Sequence, residues 1–356
     1  MTNSFRPNCL PTLIGSLPLD DHNEACALVF EHAPDIPIWV QLPVFKQEGM
    51  LRQFLPGMPG FTLEQEKAYI NKTGENFDAE MLAFYEDYMA VVEGEKTLSE
   101  SRFKLTPETA KGFFTLLDRL KRIEGRPKAV KGQITGPITF TTGISDQDGR
   151  AIFYDDQLRD AAVKLLALKA QWQVREFKPM GCPAIVFFDE PALAGFGSSE
   201  FISISREDIA ACFSEVFAAV HAEGALAGVH VCANTDWSLL LDSDVDIINF
   251  DAYAYIDRFI LYPKLIRQFI NSGRILAWGI VPTLNKEDIE SETVDSLMKA
   301  WREKTEQIES LSIDRQSLMA QSMITPSCGA GLLSLASARK VLSLTKQLSD
   351  RIRRQL

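Results

Sequence analysis

No apolar run in this sequence approaches the ~20 consecutive residues that a helix needs to cross a bilayer, so no membrane span is expected. Residues 1–15 carry Pro7 and Pro11 and lack the basic-then-apolar pattern of a secretory signal. Cysteine is sparse: Cys9, Cys26, Cys182, Cys212, Cys232 and Cys328 lie scattered along 356 residues. That spacing excludes a dense disulfide framework and suits free thiols in a reducing cytoplasm, the expected location. Positive charge is in deficit, with 37 Lys+Arg against 48 Asp+Glu and a net charge of −11. Broad nucleic-acid binding and attraction to anionic membranes are therefore not expected. No internal repeat, linker or low-complexity segment divides the chain, and residues 1–356 read as a single domain.

What is present is an ordinary globular composition, 46% hydrophobic and 24% charged, arranged as strand-like runs alternating with amphipathic stretches. The runs predict strands at 12–16, 36–42, 129–134, 184–189, 227–232, 246–251, 275–281 and 322–325. Helical patterns cover 158–178, 206–223 and 333–352. The second opens with Ser205-Arg206-Glu207-Asp208, a capping-box pattern with Asp in the fourth place, and stops at Gly224. Eight strands mostly separated by helices make the fold class α/β, a single (β/α)8 TIM barrel. A doubly wound sheet is the alternative, but no Gly-x-Gly-x-x-Gly follows any strand.

In a barrel, chemistry gathers where strands end at the C-terminal face. Ser16, Gln133, Thr135, Asp189, Glu190, His230, Cys232, Asp251 and Cys328 all fall at such ends. Residues i and i+2 of a strand share a face, so His230 and Cys232 project together. Cys328, also ending an apolar run and followed by Gly329, completes a His-Cys-Cys set. Three protein ligands and one open position describe a catalytic zinc site, whereas four close a structural one. Each residue also has a plainer use: His and Cys as core residues, Asp-Glu-Pro at 189–191 as a turn cap, and Asp251 as a solvated turn residue.

Five segments stand out in chain order: Thr12-Leu13-Ile14-Gly15-Ser16-Leu17-Pro18, Lys131-Gly132-Gln133-Ile134-Thr135-Gly136-Pro137-Ile138-Thr139, Phe188-Asp189-Glu190-Pro191-Ala192-Leu193, His230-Val231-Cys232 and Thr325-Pro326-Ser327-Cys328-Gly329. In these segments and their order the sequence resembles the C-terminal catalytic barrel of cobalamin-independent methionine synthase. The wider superfamily holds uroporphyrinogen decarboxylase and zinc methyltransferases that work with methylcorrinoids. The resemblance implies Zn2+ bound by His230, Cys232 and Cys328. The family's further ligand, a Glu at the next strand end, is matched by the shorter Asp251, which would leave the metal when the thiol arrives. Ile14, Ser16, Asp189 and Glu190 fall in the segments that contact an amino acid thiol, with Asp189 holding its ammonium group. The companion Glu of that substrate site has no matched position, and Glu48 is offered for it.

Two departures bear on the donor. The N-terminal barrel of the long synthases has no counterpart here, and the segment 42–61 differs from their pattern. Met50, Leu51, Phe54, Met58 and Phe61 make that segment a lid, a docking surface for the donor, or a loop tucked onto the barrel. The expected activity is methyl transfer to a zinc-bound thiol, homocysteine giving methionine, with methylcobalamin or a methylcorrinoid protein as donor. Two thiolates and a neutral imidazole offset the charge of Zn2+, so a bound substrate thiolate stays electron-rich and nucleophilic. A different thiol of the coenzyme M kind, a uroporphyrinogen decarboxylase-like activity, and a non-catalytic zinc- and thiol-binding barrel stay open as alternatives. The implied partners are a small amino acid thiol and a corrinoid protein, with neither nucleic acid nor membrane.

Overall fold

The computed structural model describes residues 5–197 and 203–356. Nine strands occur among them: β1 (Leu10–Pro11), β2 (Phe61–Glu64), β3 (Lys67–Ile70), β4 (Val130–Thr135), β5 (Ala184–Asp189), β6 (Leu226–Val231), β7 (Ile247–Phe250), β8 (Ile275–Val281) and β9 (Ser322–Pro326). Seven of them form one parallel sheet in the order β1-β9-β8-β7-β6-β5-β4. Helices connect most of these strands. The long ones at Asp156–Phe177, Arg206–His221 and Leu335–Arg353 stand where the apolar spacing of the sequence placed them. The expected capping box is present, with Ser205 Oγ accepting the Asp208 N–H at 3.0 Å.

The period-two alternation of the strands sorts their side chains into two layers. Leu10, Ile185, Phe187, Ile247, Ile275, Ala277 and Met323 form one buried cluster. The intervening Val130, Ile134, Val186, Phe188, Val229, Ile248, Leu276 and Ile324 belong to a larger cluster with the helices. Such separation is the packing expected of a curled sheet whose concave side is filled by its own residues.

The sheet is open between β4 and β1, which corrects the expectation of eight regular strands. The predicted strand 36–42 makes only two isolated parallel bridges, Ile38 to Lys131 and Ser16 to Gln41. Pro37 lacks an N–H donor, and elsewhere side chains replace the ladder. Gln133 Nε2 donates to the Trp39 carbonyl at 3.0 Å and to Gln41 Oε1 at 3.3 Å. The first predicted strand is likewise displaced. Regular pairing falls at Leu10–Pro11, and beyond it the Thr12 N–H donates to the Ile324 carbonyl and Ser16 makes a single bridge to Gln41.

The segment 42–61 is divided between core and surface, with Val44 and Met50 exposed. Phe54, Leu55 and Met58 are buried in the main core, Leu51 fills the space that a side chain at Gly143 would need, and Thr135 Oγ1 donates to the Met50 carbonyl at 2.6 Å. It leads into the antiparallel hairpin of β2 and β3, which the sequence reading did not anticipate. Its turn, Gln65-Glu66, has positive φ at both residues, 45° and 74°, without the Asn-Gly that usually marks such turns. No helix among the described residues is long and apolar enough to cross a membrane.

Candidate metal centre

The parallel register sets Asp189 of β5 beside His230 of β6, and His230 beside Asn249 of β7. Cys232 follows β6 directly and Cys328 lies two residues beyond β9, so both reach the same end of the sheet. Ligand atoms of His230, Cys232 and Cys328 all lie within 4.8 Å of one another. Ligands ~2.3 Å from a tetrahedral zinc are about 3.8 Å apart, so this spacing fits one ion. His230 is buried, while both cysteines are part-exposed.

The imidazole is held in one orientation. Asn249 Nδ2 donates to the Ala277 carbonyl at 2.8 Å and to Thr325 Oγ1 at 2.9 Å, which leaves Oδ1 toward His230 Nδ1 at 2.5 Å. An amide oxygen can only accept, so Nδ1 carries the proton and Nε2 keeps its lone pair. Nε2 is buried and has no hydrogen-bond partner. A buried polar atom without a partner carries a free-energy cost that a ligand relieves. Soft sulfurs with an oriented neutral imidazole form a donor set suited to zinc.

The sulfurs themselves are unequal. A hydrogen bond from Cys328 outweighs burial and draws the Cys232 thiol well below its ordinary value. The Cys328 thiol is pushed up correspondingly, since it holds the shared proton beside a thiolate. Burial disfavours charge on His230, but the neighbouring Cys232 and Asp189 outweigh it and raise its pKa. A dication replacing the shared protons would satisfy both sulfurs at once.

Close backbone packing brings the Cys328 loop to this place. A Cβ on Gly279 would lie 2.8 Å from Ser327 Cα and 2.7 Å from the Phe250 carbonyl, and the β8–β9 pairing shifts register between Gly279 and Val281. Ser16 secures the other side. Its carbonyl accepts the Ala330 N–H at 3.0 Å, and its Oγ accepts the Gly331 N–H at 3.2 Å. Ser16 thus positions the Cys328 loop, with Ile14 buried two residues before it.

The acidic residues divide by use. Asp251 does not join the three-residue cluster; its Oδ1 accepts the Ala254 N–H at 2.9 Å, capping the helix Ala252–Phe259. Burial raises its pKa to about 6, with Cys232 adding to the shift. Glu190 accepts from Ile138 N at 2.9 Å, Thr139 N at 2.8 Å and Thr139 Oγ1 at 2.6 Å, so it caps the helix that starts at Pro137. A side chain at Gly136 would collide with that carboxylate, which explains why Thr-Gly-Pro and Asp-Glu-Pro occur together. Burial raises Glu190 to about 7. Glu48 is tied to His22 Nε2 at 2.7 Å and to the Leu42 N–H at 2.9 Å.

Asp189 differs from these. It is buried beside His230, and burial raises its pKa against the opposing charges of His230 and Lys131. Its carboxylate accepts no hydrogen bond among the described residues, which leaves it available. Lys131, inside the sheet's concave side, was overlooked in the sequence as a charged residue. It is 1% exposed, with Nζ 4.3 Å from the Phe187 ring centroid and 3.5 Å from Gln133 Oε1. Asn249 and Thr325 were also overlooked. Period two from Asp251 and from Ser327 was the available signal, since it points both residues inward.

No family model matches the chain, and no curated protein matches it. Among solved structures, its fold is similar to that of a methyltransferase from Methanosarcina mazei, with a TM-score of 0.55 at 13% sequence identity, over 97% of this chain and 94% of that one.

Proposed function

We propose that this protein is a zinc-dependent methyltransferase whose acceptor is a thiol, homocysteine giving methionine, and whose donor is methylcobalamin or a methylcorrinoid protein. The observation that carries this reading is the orphaned His230 Nε2 gathered with two cysteine sulfurs at one mouth. His230, Cys232 and Cys328 would hold the metal. Zinc bound there would supply Lewis acidity that lets an acceptor thiol lose its proton and react as a thiolate. Asn249 keeps His230 in the ligating tautomer, and Ser16 holds the Cys328 loop. Asp189, with no other hydrogen bond, would receive the acceptor's ammonium group. The methyltransferase name of the Methanosarcina mazei neighbour supports the reaction class. The same reading takes the fold as a (β/α)8 barrel in which 36–42 serves as the missing strand.

A second reading, an acceptor without an amino acid head, draws support from the commitment of Ser16, Glu190 and Glu48 to other contacts. The test is to incubate zinc-loaded protein and homocysteine with methylcobalamin or with methyltetrahydrofolate polyglutamate, and to measure methionine. Methionine from methylcobalamin, lost in Cys232→Ser and Cys328→Ser together with zinc, is the expected result. Product from the folate alone would overturn the donor. Stoichiometric zinc retained in both variants would overturn the site.

A further inference from the structure

Of the six cysteines, Cys9, Cys26 and Cys212 are buried, while Cys182, Cys232 and Cys328 are part-exposed. Cys182 lies just before β5, at the end of the sheet away from the metal centre. Cys232 and Cys328 combine access from solvent with a second sulfur in reach. Their sulfurs lie within 4.8 Å of one another, and a hydrogen bond links the two thiols. A disulfide holds its sulfurs ~2.05 Å apart, so closing this pair moves them by less than about 3 Å. Rotation between two staggered wells carries a cysteine sulfur about that far. The Cys328 loop is fixed by Ser16 and by the close contact at Gly279. Residues 232–237, by contrast, belong to neither helix nor strand, so the movement falls to Cys232. The bond would join the end of β6 to the loop after β9, across β7 and β8.

We propose that Cys232 and Cys328 form a reversible disulfide that dismantles the metal centre, a redox switch built into its ligand set. The switch rests on the zinc reading above, whereas the bond between the sulfurs does not. A hydroperoxide is the oxidant, and hydrogen peroxide is the simplest. One cysteine sulfur attacks a peroxide oxygen and breaks the O–O bond, giving a sulfenic acid and water. The other sulfur then displaces the hydroxyl as a second water, and the S–S bond forms. Two electrons and two protons leave the pair, and the peroxide is reduced to two waters. The product is the same whichever sulfur reacts first, and a dithiol reverses the change. A disulfide has no thiolate to offer a metal, so oxidation leaves His230 as the remaining member of the three-residue set.

The test treats the full-length protein, metal-free and zinc-loaded, with a small molar excess of hydrogen peroxide. Free thiols are counted with 5,5′-dithiobis(2-nitrobenzoate) in denaturant, the intact mass is measured, and released zinc is read with a chromophoric chelator. The metal-free wild type is expected to lose two of its six free thiols and the mass of two hydrogens, and to regain both on dithiothreitol. Peptide mass analysis should place the link between Cys232 and Cys328. Cys182→Ser should form the same link, whereas Cys232→Ser and Cys328→Ser should gain oxygen and form none. The zinc-loaded protein should release one zinc per disulfide and take it up again after reduction. Wild type that gains oxygen without losing two hydrogens, a link through other cysteines, or zinc retained by the disulfide form would overturn the proposal. A protein that forms the bond but never takes up zinc would overturn the metal reading and the switch with it, while the bond stands.

Discussion

Asn249 makes the sharpest prediction, because one buried amide determines which nitrogen His230 can offer. Asn249→Leu keeps a similar volume and removes the acceptor 2.5 Å from Nδ1. Nδ1 then has no group to hold its proton, so the imidazole can rotate or adopt the other tautomer. Losing such an outer partner costs ~10–100-fold in metal affinity, or about 1.4–2.7 kcal/mol. The variant also orphans the Ala277 carbonyl and the Thr325 hydroxyl, which costs roughly 1–3 kcal/mol of stability. Asn249→Asp separates these effects, since a carboxylate still accepts from Nδ1 while losing both donations. Competition for zinc against a chromophoric chelator at fixed pH measures affinity, and urea unfolding of the metal-free proteins measures stability. The expected pattern is near wild-type zinc affinity for Asn249→Asp, weak binding for Asn249→Leu, and lowered stability for both. Equal zinc affinity in all three proteins would refute the tautomer argument.

Asp251→Ala should lose about 1 kcal/mol in chemical unfolding through the lost helix cap, yet retain one zinc per chain by metal analysis. Loss of zinc would make Asp251 a ligand after all. Lys131→Met should raise stability at pH 7 by about 1–3 kcal/mol, because burying the ammonium costs more than the charge of Asp189 returns. Burial lowers Lys131 from 10.5 to about 8, so the unfolded state binds more protons in that interval. Wild-type stability tied to this group should therefore rise with pH from about 8 to 10.5, and the variant should lack that rise. The same substitution should weaken homocysteine binding by calorimetry, since it removes the charge that opposes protonation of Asp189; unchanged binding would separate Lys131 from the site.

Local order along the chain was legible in the sequence. Apolar runs of the right length located β4 through β9, and helical spacing, once with a capping box, located three of the helices that cover them. Period two alone placed His230 and Cys232 on one face, since successive strand residues alternate sides whatever the rest of the chain does. Tertiary structure decided the uses of the polar residues. Glu190 and Asp251 both occur at strand ends, but which N–H groups they meet depends on where the next helix begins, so they became caps. The same holds for Ser16, committed to a loop more than three hundred residues away in sequence. The run 36–42 has a strand's composition, yet its edges are completed by the Gln133 and Gln41 side chains, an arrangement fixed only when both neighbours are in place. Cys328 meets His230 and Cys232 because parallel register and the close approach at Gly279 align three strand ends, and a one-dimensional pattern carries no record of which distant strands become neighbours.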